Sequence, residues 1–372
     1  MAQKILYCAS TMVHIKNFHI PYIKVFHEKG YEVWVAANKK EEVPYADKVV
    51  ALPFQKSFFS FQNIKAVFEA RKLIKNENFE IISVHTMLAS AVIRAAVLLL
   101  RESPKVFNTV HGYLFHESDG IKKWKYIIPE KICAHVTDVL MVMNHEDYDI
   151  AKKYKLYKDK LYYIDGMGID LAGFAPASNE MCNALRKRSG FGFDDKDFLF
   201  MYAAEFSKRK NQSLLIHAFA DVVKKIPEAH LLLAGDGALT DECKVLARKL
   251  NVDGKVHFLG YIKNMKNLYY MCNACVTVSH IEGLPFNVME AMACGLPVIA
   301  SRIKGHIELI ENEKTGLLFK DDNKEELESA MIKLYNSEIL QKKFGTEGLK
   351  KVRQFDINNV LESIIHIYGE NI

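Results

Sequence analysis

The feature that most constrains the fold is a repeated alternation of short apolar runs, rich in β-forming residues, with segments of helix length. Such runs stand at 4–9, 32–36, 81–85, 106–110 and 139–143. The pattern restarts after residue 197, with runs at 198–203, 230–234, 256–259, 274–278 and 297–300. This alternation is typical of βαβ units, so each set predicts an α/β domain built on a doubly wound parallel sheet. A chain of 372 residues has room for two such domains.

A stretch rich in Gly, Ala, Asp and Pro, residues 165–179, separates the two sets and predicts a hinge near 166–176. We therefore expect an N-terminal Rossmann-like domain at 1–170, a C-terminal one at 171–354, and an amphipathic helix at 355–372 that returns to the first domain. Ligands of open doubly wound sheets bind beyond the carboxyl ends of the strands. Two such domains facing each other would form one cleft lined by strand-end loops.

Composition indicates an ordinary globular protein, with 49% hydrophobic and 26% charged residues. The seven cysteines are odd in number and scattered, and no N-terminal signal is evident, so we expect a cytoplasmic protein. No apolar run is longer than the seven residues at 198–204, and the run at 95–100 lies between Arg94 and Arg101. Both runs are far shorter than the roughly 20 residues of a membrane-spanning helix.

The net charge of +5 comes from the first half of the chain. Residues 1–170 hold 24 Lys and Arg against 19 Asp and Glu, and residues 171–372 hold 26 of each class. The excess suggests an anionic partner for the first domain, such as a membrane surface, a phosphate-bearing lipid or nucleic acid. A chance imbalance is the alternative. No nucleic-acid recognition motif accompanies the charge, so we expect no nucleic-acid partner.

The sharpest motif is SHIEGLPFNVMEAMACGLPVIAS at 279–301, which follows a predicted strand and enters a predicted helix. The spacing places Glu282 in the strand-end loop and Glu290 one or two turns into the helix, so both can present carboxylates to hydroxyl groups in the same cleft. Backbone N–H groups at the start of the helix would cradle an anion such as a diphosphate. A sugar nucleotide offers both features. Two helix-capping carboxylates are the alternative.

This segment resembles the E-x7-E motif of the retaining GT-B glycosyltransferases of family 4, in particular the capsular and exopolysaccharide branch that acts on lipid-linked sugars. The resemblance covers nearly the whole chain. Seven motifs occur in the expected order: ILYCASTMVHIKNFHIPYIKVFHEKGYEVWVAA, HGY at His111, YIDGMGID, SKRKNQSLL, AGDG, HFLGY and EGLPFNVMEAMACGLPVIAS.

The resemblance implies that Glu290 binds the ribose hydroxyls of the nucleotide and that Glu282 orients a hydroxyl of the donor sugar. Lys210 would stabilise the diphosphate as negative charge develops on it. Many family members have an Arg five residues before this Lys, but here that residue is Glu205. We expect Arg209 to substitute, because a guanidinium can bind phosphate bidentately. A solvated basic run at 208–210 is the alternative.

The other donor-binding residues implied by the resemblance lie in two strand-end segments. One would read the base, favouring uracil, and the other belongs to the E-x7-E segment; they are Gly260, Tyr261, Ile262, Gly283, Leu284, Pro285, Phe286 and Asn287. The glycines of AGDG, Gly235 and Gly237, are expected to shape the pocket, because strand-to-helix turns need glycine for backbone geometry alone.

In the first domain, the resemblance makes His111 an active-site residue, facing the donor sugar or the acceptor. A histidine in a satisfied core turn is the alternative. The loop at 9–12 would approach the diphosphate, where the glycines common in the family are missing and Ser10 and Thr11 offer hydroxyl donors. His14 and His19 would line the acceptor side.

The family's chemistry retains the anomeric configuration, with the acceptor attacking from the face that the nucleotide leaves. The predicted strand-end loops contain no nucleophile and base in the pattern of a covalent mechanism, which agrees with such a reaction. Cys272 and Cys275 form an isolated C-x-x-C, more typical of buried thiols than of zinc. A group of His111, His116 and Glu117 is a weak metal candidate. We therefore expect neither a metal nor another cofactor, and a UDP-sugar as donor substrate.

Two N-terminal stretches, 52–65 and 120–129, combine aromatic and basic residues as interfacial anchors do. We expect them to dock the domain peripherally on the inner face of the cytoplasmic membrane; a core helix with a solvated basic face is the alternative. The residues concerned are Lys56, Phe58, Phe59, Phe61, Lys122, Lys123, Trp124 and Lys125.

The sequence therefore favours a retaining hexosyltransferase that moves a hexose or N-acetylhexosamine from a UDP-sugar to a lipid-linked saccharide, in capsular polysaccharide, exopolysaccharide or other glycan biosynthesis. One alternative is a non-catalytic nucleotide-sugar-binding subunit of a glycosyltransferase complex. Another is an epimerase-like enzyme on the same fold, against which the complete EGLPFNVMEAMACGLP string argues.

Overall fold

The computed structural model describes residues 3–55 and 60–372. The chain forms two compact units, one containing Met1–Gly168 and Asn358–Ile372, the other Ile169–Ile357. The chain passes into the second unit two residues before the boundary expected from the sequence, and returns three residues after it. Helix Ile357–Asn371 belongs largely to the first unit.

Within the described residues, the first unit has a seven-stranded parallel sheet of order β3-β2-β1-β4-β5-β6-β7. Its strands are Lys4–Cys8 (β1), Glu32–Ala37 (β2), Lys48–Ala51 (β3), Ile81–His85 (β4), Lys105–Val110 (β5), Val139–Val142 (β6) and Lys160–Tyr163 (β7). Its helices are Met12–Phe18 (α1), Ile20–Glu28 (α2), Phe61–Glu77 (α3), Met87–Leu98 (α4), Trp124–Cys133 (α5) and His145–Tyr154 (α6). A 3₁₀ turn, Gly120–Lys123, precedes α5.

The second unit has a six-stranded parallel sheet of order β10-β9-β8-β11-β12-β13 in the same described ranges. Its strands are Phe198–Ala203 (β8), Ala229–Ala234 (β9), Val256–Gly260 (β10), Ala274–Thr277 (β11), Val298–Ser301 (β12) and Gly316–Phe319 (β13). The helices that follow α6 are Asn179–Arg188 (α7), Gln212–Lys225 (α8), Thr240–Lys249 (α9), Met265–Met271 (α10), Phe286–Ala293 (α11), His306–Leu309 (α12), Lys324–Tyr335 (α13), Glu338–Val352 (α14) and Ile357–Asn371 (α15). The prediction of two doubly wound parallel sheets is confirmed.

Three strands are absent from the sequence prediction: β3, β7 and β13. Each lies at the edge of its sheet. Strands β3 and β7 are exposed or only half-buried, so they lack the continuous apolar run by which buried parallel strands are recognised. Strand β13 spans only four residues.

The core of the first unit explains why the C-terminal helix joins it. Helix α15 buries an apolar stripe that includes Val360, Ile364 and Tyr368. The ring of Tyr368 stacks on Phe107 of β5 at 4.2 Å between centroids and meets the ring of Phe26 edge-on at 5.0 Å. The free energy gained by burying this apolar stripe holds the helix in place.

No helix among the described residues is long and apolar enough to cross a membrane.

Candidate active site

Glu282 lies in the loop between β11 and α11 and is almost fully buried. Its carboxylate is bound by Lys210 and, at 3.1 Å, by Nη1 of Arg209, which also donates to the carbonyl of Ile281 at 3.0 Å. Burial raises the pKa of Glu282, but the two cations outweigh burial and lower this pKa to about 2. The side chain is therefore a permanent anion inside a basic pair.

The two cations differ in how they are held. The Lys210 side chain is only 13% exposed, whereas Arg209 is 40% exposed and uses Nη1 for the contacts with Glu282 and Ile281. Neither is part of a freely solvated basic run, the alternative for 208–210; Lys208 alone is exposed. Glu205 is also exposed.

Hydrogen bonds tie together the loops that carry these groups. The Tyr202 hydroxyl contacts the Lys210 carbonyl at 3.0 Å and the Ser279 hydroxyl at 2.8 Å. The backbone N–H of His280 donates to the Arg209 carbonyl at 2.9 Å, and its Nδ1 lies 3.0 Å from both carboxylate oxygens of Asp321. The loops after β8, β11 and β13 thus form one connected support for Glu282.

Gly305 marks a close approach between this support and α12. Its φ is +81°, and a Cβ atom there would lie 2.6 Å from the Gly283 carbonyl oxygen and 2.9 Å from that of Glu282. Such distances leave no room for a side chain, so glycine is required to bring the chain against the Glu282 loop.

Glu290 is the fifth residue of α11, where the sequence spacing places it. Its Oε2 accepts a 2.7 Å hydrogen bond from the hydroxyl of the buried Tyr269 of α10, which also contacts the Asn287 carbonyl at 3.2 Å. Burial raises the pKa of Glu290 to about 7, although the Tyr269 hydrogen bond opposes the shift. Unlike Glu282, this carboxyl changes its charge near neutral pH.

Five of the other predicted donor-binding residues lie between Glu282 and Glu290 in the sequence. Gly283, Leu284 and Pro285 are buried immediately before α11, and Phe286 begins that helix. The Asn287 amide donates to the Ala203 carbonyl at the end of β8, at 3.0 Å.

The predicted base-reading segment follows β10, and its residues differ in exposure. Gly260 ends the strand with a φ of +62°, the Tyr261 side chain is 71% exposed, and Ile262 is half-buried. The glycines of AGDG lie where the loop after β8 packs closely against the loop after β9. Cβ atoms on Gly235 and Gly237 would lie 2.1 Å and 2.3 Å from carbonyl oxygens of the loop after β8.

In the first unit, His111 follows β5 and belongs to a cluster with His14, His19 and His85. Nε2 of His19 lies 2.9 Å from Nδ1 of His14, and Nδ1 of His85 lies 3.3 Å from Nε2 of His111. The ring of His14 meets that of His111 edge-on at 4.7 Å. The strand-end topology therefore brings together three predicted residues and one, His85, that the sequence analysis missed.

All four imidazoles of this cluster are held neutral. Burial lowers the pKa of His14 to about 4 and lowers the pKa values of His19, His85 and His111 well below the usual range. Nδ1 of His19 is buried with no hydrogen-bond partner among the described residues.

The metal-binding capacity of the cluster is limited by its spacing. Ring nitrogens of His14, His19 and His111 lie within 4.8 Å of one another. Nitrogen ligands about 2.0–2.1 Å from a tetrahedral zinc ion stand roughly 3.4 Å apart, so the rings would have to move to hold one. His116 pairs instead with Glu146 at 3.0 Å, and Glu117 pairs with Lys123 and Lys153. Cys272 and Cys275 are buried free thiols.

The loop at 9–12 is organised by Thr86, another residue that the sequence analysis missed. The Thr86 hydroxyl accepts from the Ser10 backbone N–H at 3.0 Å and contacts the Ser10 hydroxyl at 3.0 Å. The Thr11 hydroxyl caps α1 by accepting from the N–H of His14. Thr86 has a φ of +65°, a costly conformation for a β-branched residue that is typical of functional sites. No short-range pattern signals such strain.

The predicted membrane residues fall into three groups. Lys56, Phe58 and Phe59 lie outside the described residues. Phe61 is 87% exposed at the start of α3, Lys122 is exposed in the 3₁₀ turn before α5, and Trp124 and Lys125 are exposed at the start of α5. Lys123 is not available to anionic lipid as predicted, because its ammonium binds Glu117 and its side chain is only 12% exposed.

The chain matches two family models in sequence: "Glycosyl transferase 4-like" over residues 4–143 and "Glycosyl transferases group 1" over residues 184–351. It is 35% identical over 371 residues to the Bacillus subtilis protein named "Putative glycosyltransferase EpsD", covering 99% of this chain and 97% of that one. It is 28% identical over 314 residues to the Escherichia coli UDP-Gal:alpha-D-GlcNAc-diphosphoundecaprenol alpha-1,3-galactosyltransferase, covering 82% of this chain and 79% of the other.

Solved structures show the same fold at lower identity. Anabaena HepE in complex with UDP and glucose matches with a TM-score of 0.78 at 18% identity, over 99% of both chains. Sucrose-phosphate synthase from Thermosynechococcus elongatus matches with a TM-score of 0.80 at 20% identity, over 99% of this chain and 98% of that one. The similarity to EpsD over nearly the full length, with the two family matches and the two parallel sheets, shows that the chain belongs to the group 1 glycosyltransferases of the GT-B fold, of the capsular and exopolysaccharide type.

Proposed function

We propose that the chain is a retaining hexosyltransferase that transfers a hexose or N-acetylhexosamine from a UDP-sugar to a saccharide linked to a polyprenyl diphosphate. The second unit would bind the donor, and the first unit would supply His111 and the acceptor residues. The product would enter a capsular polysaccharide, exopolysaccharide or related glycan.

The observation that carries this proposal is the contrast between the two carboxylates of the E-x7-E segment. Glu282 is a permanent anion bound to Lys210 and Arg209, while Glu290 is a half-buried acceptor with a titratable charge. Glu282 can accept a hydrogen bond from a sugar hydroxyl, and the two cations beside it suit a diphosphate. Glu290 suits the two hydroxyls of a ribose. A UDP-sugar requires both.

The comparisons support the same substrates. The E. coli relative carries UDP-Gal and a diphosphoundecaprenol-linked sugar in its name, and HepE was solved with UDP-glucose. Retention follows from the family resemblance, in which the diphosphate takes the acceptor's proton and no enzyme nucleophile is needed.

The first test is a nucleotide-release assay on the purified protein, with UDP- and GDP-sugars, each with and without a bacterial lipid extract. We expect one UDP-sugar to release UDP faster when the extract is present. Tight binding of a UDP-sugar with no release under any condition would favour a binding subunit instead. Analysis of the anomeric configuration of the product by NMR tests retention.

Substitutions separate the roles of the two carboxylates. Glu290→Ala should weaken UDP binding, because it removes the ribose acceptor, whereas Glu282→Ala should retain UDP binding and lose most transfer. Glu338→Ala, which alters an exposed glutamate on α14, is the matched control. Equal loss of UDP affinity in both variants would contradict this division of roles.

The proposal includes peripheral docking of the first unit on an anionic membrane. Helix α5 and the 3₁₀ turn before it expose an apolar stripe at helical spacing, with Ile121, Trp124, Ile128 and Ile132 exposed by 87%, 44%, 54% and 55%. Helix α3 exposes a second stripe of Phe61, Ile64 and Phe68. Exposed lysines lie beside both, namely Lys65, Lys72, Lys122, Lys125 and Lys131. Such faces bind interfacially by apolar burial and attraction to anionic lipid.

Topology supports this surface as an acceptor entrance. Helices α3 and α5 each follow a strand of the parallel sheet, so their first turns lie on the carboxyl-end side of the sheet. His111 lies on that side too, since it directly follows β5. A lipid-linked acceptor held at such a surface would meet the strand-end loops of the first unit.

Vesicle sedimentation tests the docking. The triple variant Phe61→Ser, Trp124→Ser and Ile128→Ser should bind phosphatidylglycerol-containing vesicles more weakly at low salt than the unmodified chain does. Ile339→Ser removes an isoleucine that is 80% exposed in the second unit and should leave vesicle binding unchanged. Equal sedimentation of all three proteins would remove the membrane proposal.

A further inference from the structure

A continuous hydrogen-bonded chain links the C-terminal helix to His111. The Tyr368 hydroxyl of α15 lies 2.6 Å from Oγ of Ser83, which lies 2.9 Å from Nε2 of His85. Nδ1 of the same His85 ring lies 3.3 Å from Nε2 of His111. The first three groups are essentially excluded from solvent, and all four belong to the first unit.

The two possible proton directions along this chain differ in cost. A neutral imidazole carries one N–H and one bare nitrogen. If His85 accepts a hydrogen bond at one ring nitrogen, it must therefore donate one at the other, so the direction of donation is the same at both contacts. If all protons point away from His111, Ser83 donates to Tyr368, and the Tyr368 hydroxyl proton needs another acceptor. Among the described residues, Ser83 is the only group whose placement meets hydrogen-bond geometry with the Tyr368 hydroxyl. The other hydroxyl beside it is that of the buried Tyr7, which forms no hydrogen bond in this geometry and would itself keep an unpaired proton if it accepted from Tyr368. A buried hydroxyl proton without a partner is costly.

The opposite direction gives an acceptor to each proton between Tyr368 and His111. Tyr368 then donates to Ser83, Ser83 donates to Nε2 of His85, and Nδ1–H of His85 donates to Nε2 of His111. His111 consequently carries its own proton on Nδ1. Burial keeps both rings neutral by lowering their pKa values well below the usual range, so this single-proton accounting holds at neutral pH.

We infer that Tyr368, acting through Ser83 and His85, fixes His111 in the tautomer that carries its proton on Nδ1, so that His111 donates a hydrogen bond to a substrate oxygen instead of acting as a base. Tyr368, Ser83 and His85 are positioning residues in this scheme. The C-terminal helix thereby has a role in the reaction beyond its packing. This inference rests on the role of His111 under the proposed function.

The tautomer can be read without substrate, from the ¹⁵N chemical shifts of the His111 ring in a histidine-labelled protein. A protonated and a bare ring nitrogen have well-separated shifts, and the spectrum of His111→Asn identifies the His111 signals. We expect Nδ1 protonated and Nε2 bare in the unmodified chain. In Tyr368→Phe both proton directions become possible, so we expect a mixed population.

Tyr22→Phe is the matched control for the spectra. It removes another buried tyrosine hydroxyl of the first unit. That hydroxyl donates to the Met167 carbonyl at 2.9 Å and is not one of the hydrogen-bonded groups between Tyr368 and His111. The control should leave the His111 shifts unchanged. A protonated Nε2 in the unmodified chain, or identical His111 shifts in Tyr368→Phe, would overturn the inference.

Kinetics test whether the tautomer matters. Loss of one neutral hydrogen bond in the chain predicts that Tyr368→Phe lowers kcat about three- to tenfold, with little change in UDP affinity. In His85→Asn the amide takes the place of Nδ1 and can still donate to His111, whereas in His85→Gln it reaches toward Ser83 instead. We therefore expect His85→Asn to retain more activity than His85→Gln. The reverse order would contradict the scheme.

Failure of this inference is distinguishable from failure of the proposed function. If His111→Ala retains full transfer, the role of His111 is wrong whichever tautomer it adopts. If His111→Ala is inactive while Tyr368→Phe keeps both the tautomer and the kcat, the proposed function stands and the positioning chain is wrong. Circular dichroism and thermal unfolding of each variant show whether a loss reflects misfolding.

Discussion

Substitution of Tyr269 by phenylalanine should shift the pH dependence of UDP binding. The Tyr269 hydroxyl donates a 2.7 Å hydrogen bond to Glu290, the proposed ribose acceptor. Burial raises the pKa of Glu290 to about 7, and this hydrogen bond holds the pKa below the value that burial alone would produce. Among the described residues, the thiols of Cys275 and Cys294 also lie close to Glu290, and burial raises their pKa values to about 12, so both are neutral. Lys266 lies near Cys294.

The sign and size of the effect follow from these contacts. Because the pKa of Glu290 is raised, its ionised form accumulates only as the pH rises through about 7, so UDP affinity should increase between pH 6 and pH 8. A hydrogen bond to a charged acceptor contributes about 1.5–3 kcal/mol. At about 1.4 kcal/mol per pH unit, its loss in Tyr269→Phe should move the midpoint upward by about one to two pH units. At pH 8 the UDP affinity should fall about two- to tenfold.

Isothermal titration calorimetry with UDP at several pH values from 6 to 9 measures this directly. Tyr270→Phe is the matched control, since the neighbouring residue on α10 loses a buried hydroxyl that donates to the Ala175 carbonyl and does not touch Glu290. The control should keep the midpoint of the unmodified chain. A UDP affinity that does not change between pH 6 and pH 8, or an unchanged midpoint in Tyr269→Phe, would show that the charge of Glu290 does not control UDP binding in this way.

Two further predictions concern stability. Gly305→Ala forces a Cβ atom to within 2.6 Å of the Gly283 carbonyl oxygen at a φ of +81°, so urea unfolding should show a loss of about 1–3 kcal/mol, with lower transfer activity. Gly369→Ala, where no atom lies within 4 Å, is its control; equal stability of both variants would contradict the close approach. Glu130→Leu leaves the buried Arg94, now bonded to Glu130 at 2.8 Å, as an unpaired charge and should cost about 3–5 kcal/mol. The double variant with Arg94→Leu should recover much of this loss in the same assay, and equal instability of the single and double variants would point to packing instead.

The regular part of the fold was predictable because central parallel strands are buried on both faces and therefore appear as continuous apolar runs. Strands β1, β4 and β8 fall within such runs. The edge strands β3 and β7 escaped prediction because their mixed exposure leaves no such run. Their place in the sheet is decided by pairing with β2 and β6, a long-range contact that no local pattern encodes.

The candidate site was predictable to a similar extent. Glu282 and Glu290 belong to one loop and the helix that follows it, so their spacing along the chain is enough to place them. Tyr269, His85 and Thr86 were missed because a buried tyrosine, a strand histidine and a strained threonine carry no pattern of their own. Their roles appear only when α10, β4 and the loop after β1 are packed against the predicted residues.

Local sequence patterns were enough to predict two doubly wound sheets and two carboxylates at the start of one helix, because burial periodicity and residue spacing are local properties. The pairing of the site residues, in contrast, depends on how the elements pack together. This packing binds Glu282 to Arg209 and Lys210, more than 70 residues away, and places Tyr368 beside Ser83, 285 residues away. Parallel strands connected by helical crossovers gather distant strand ends at one edge of a sheet, so the charge and proton state of each site residue depend on neighbours remote in sequence.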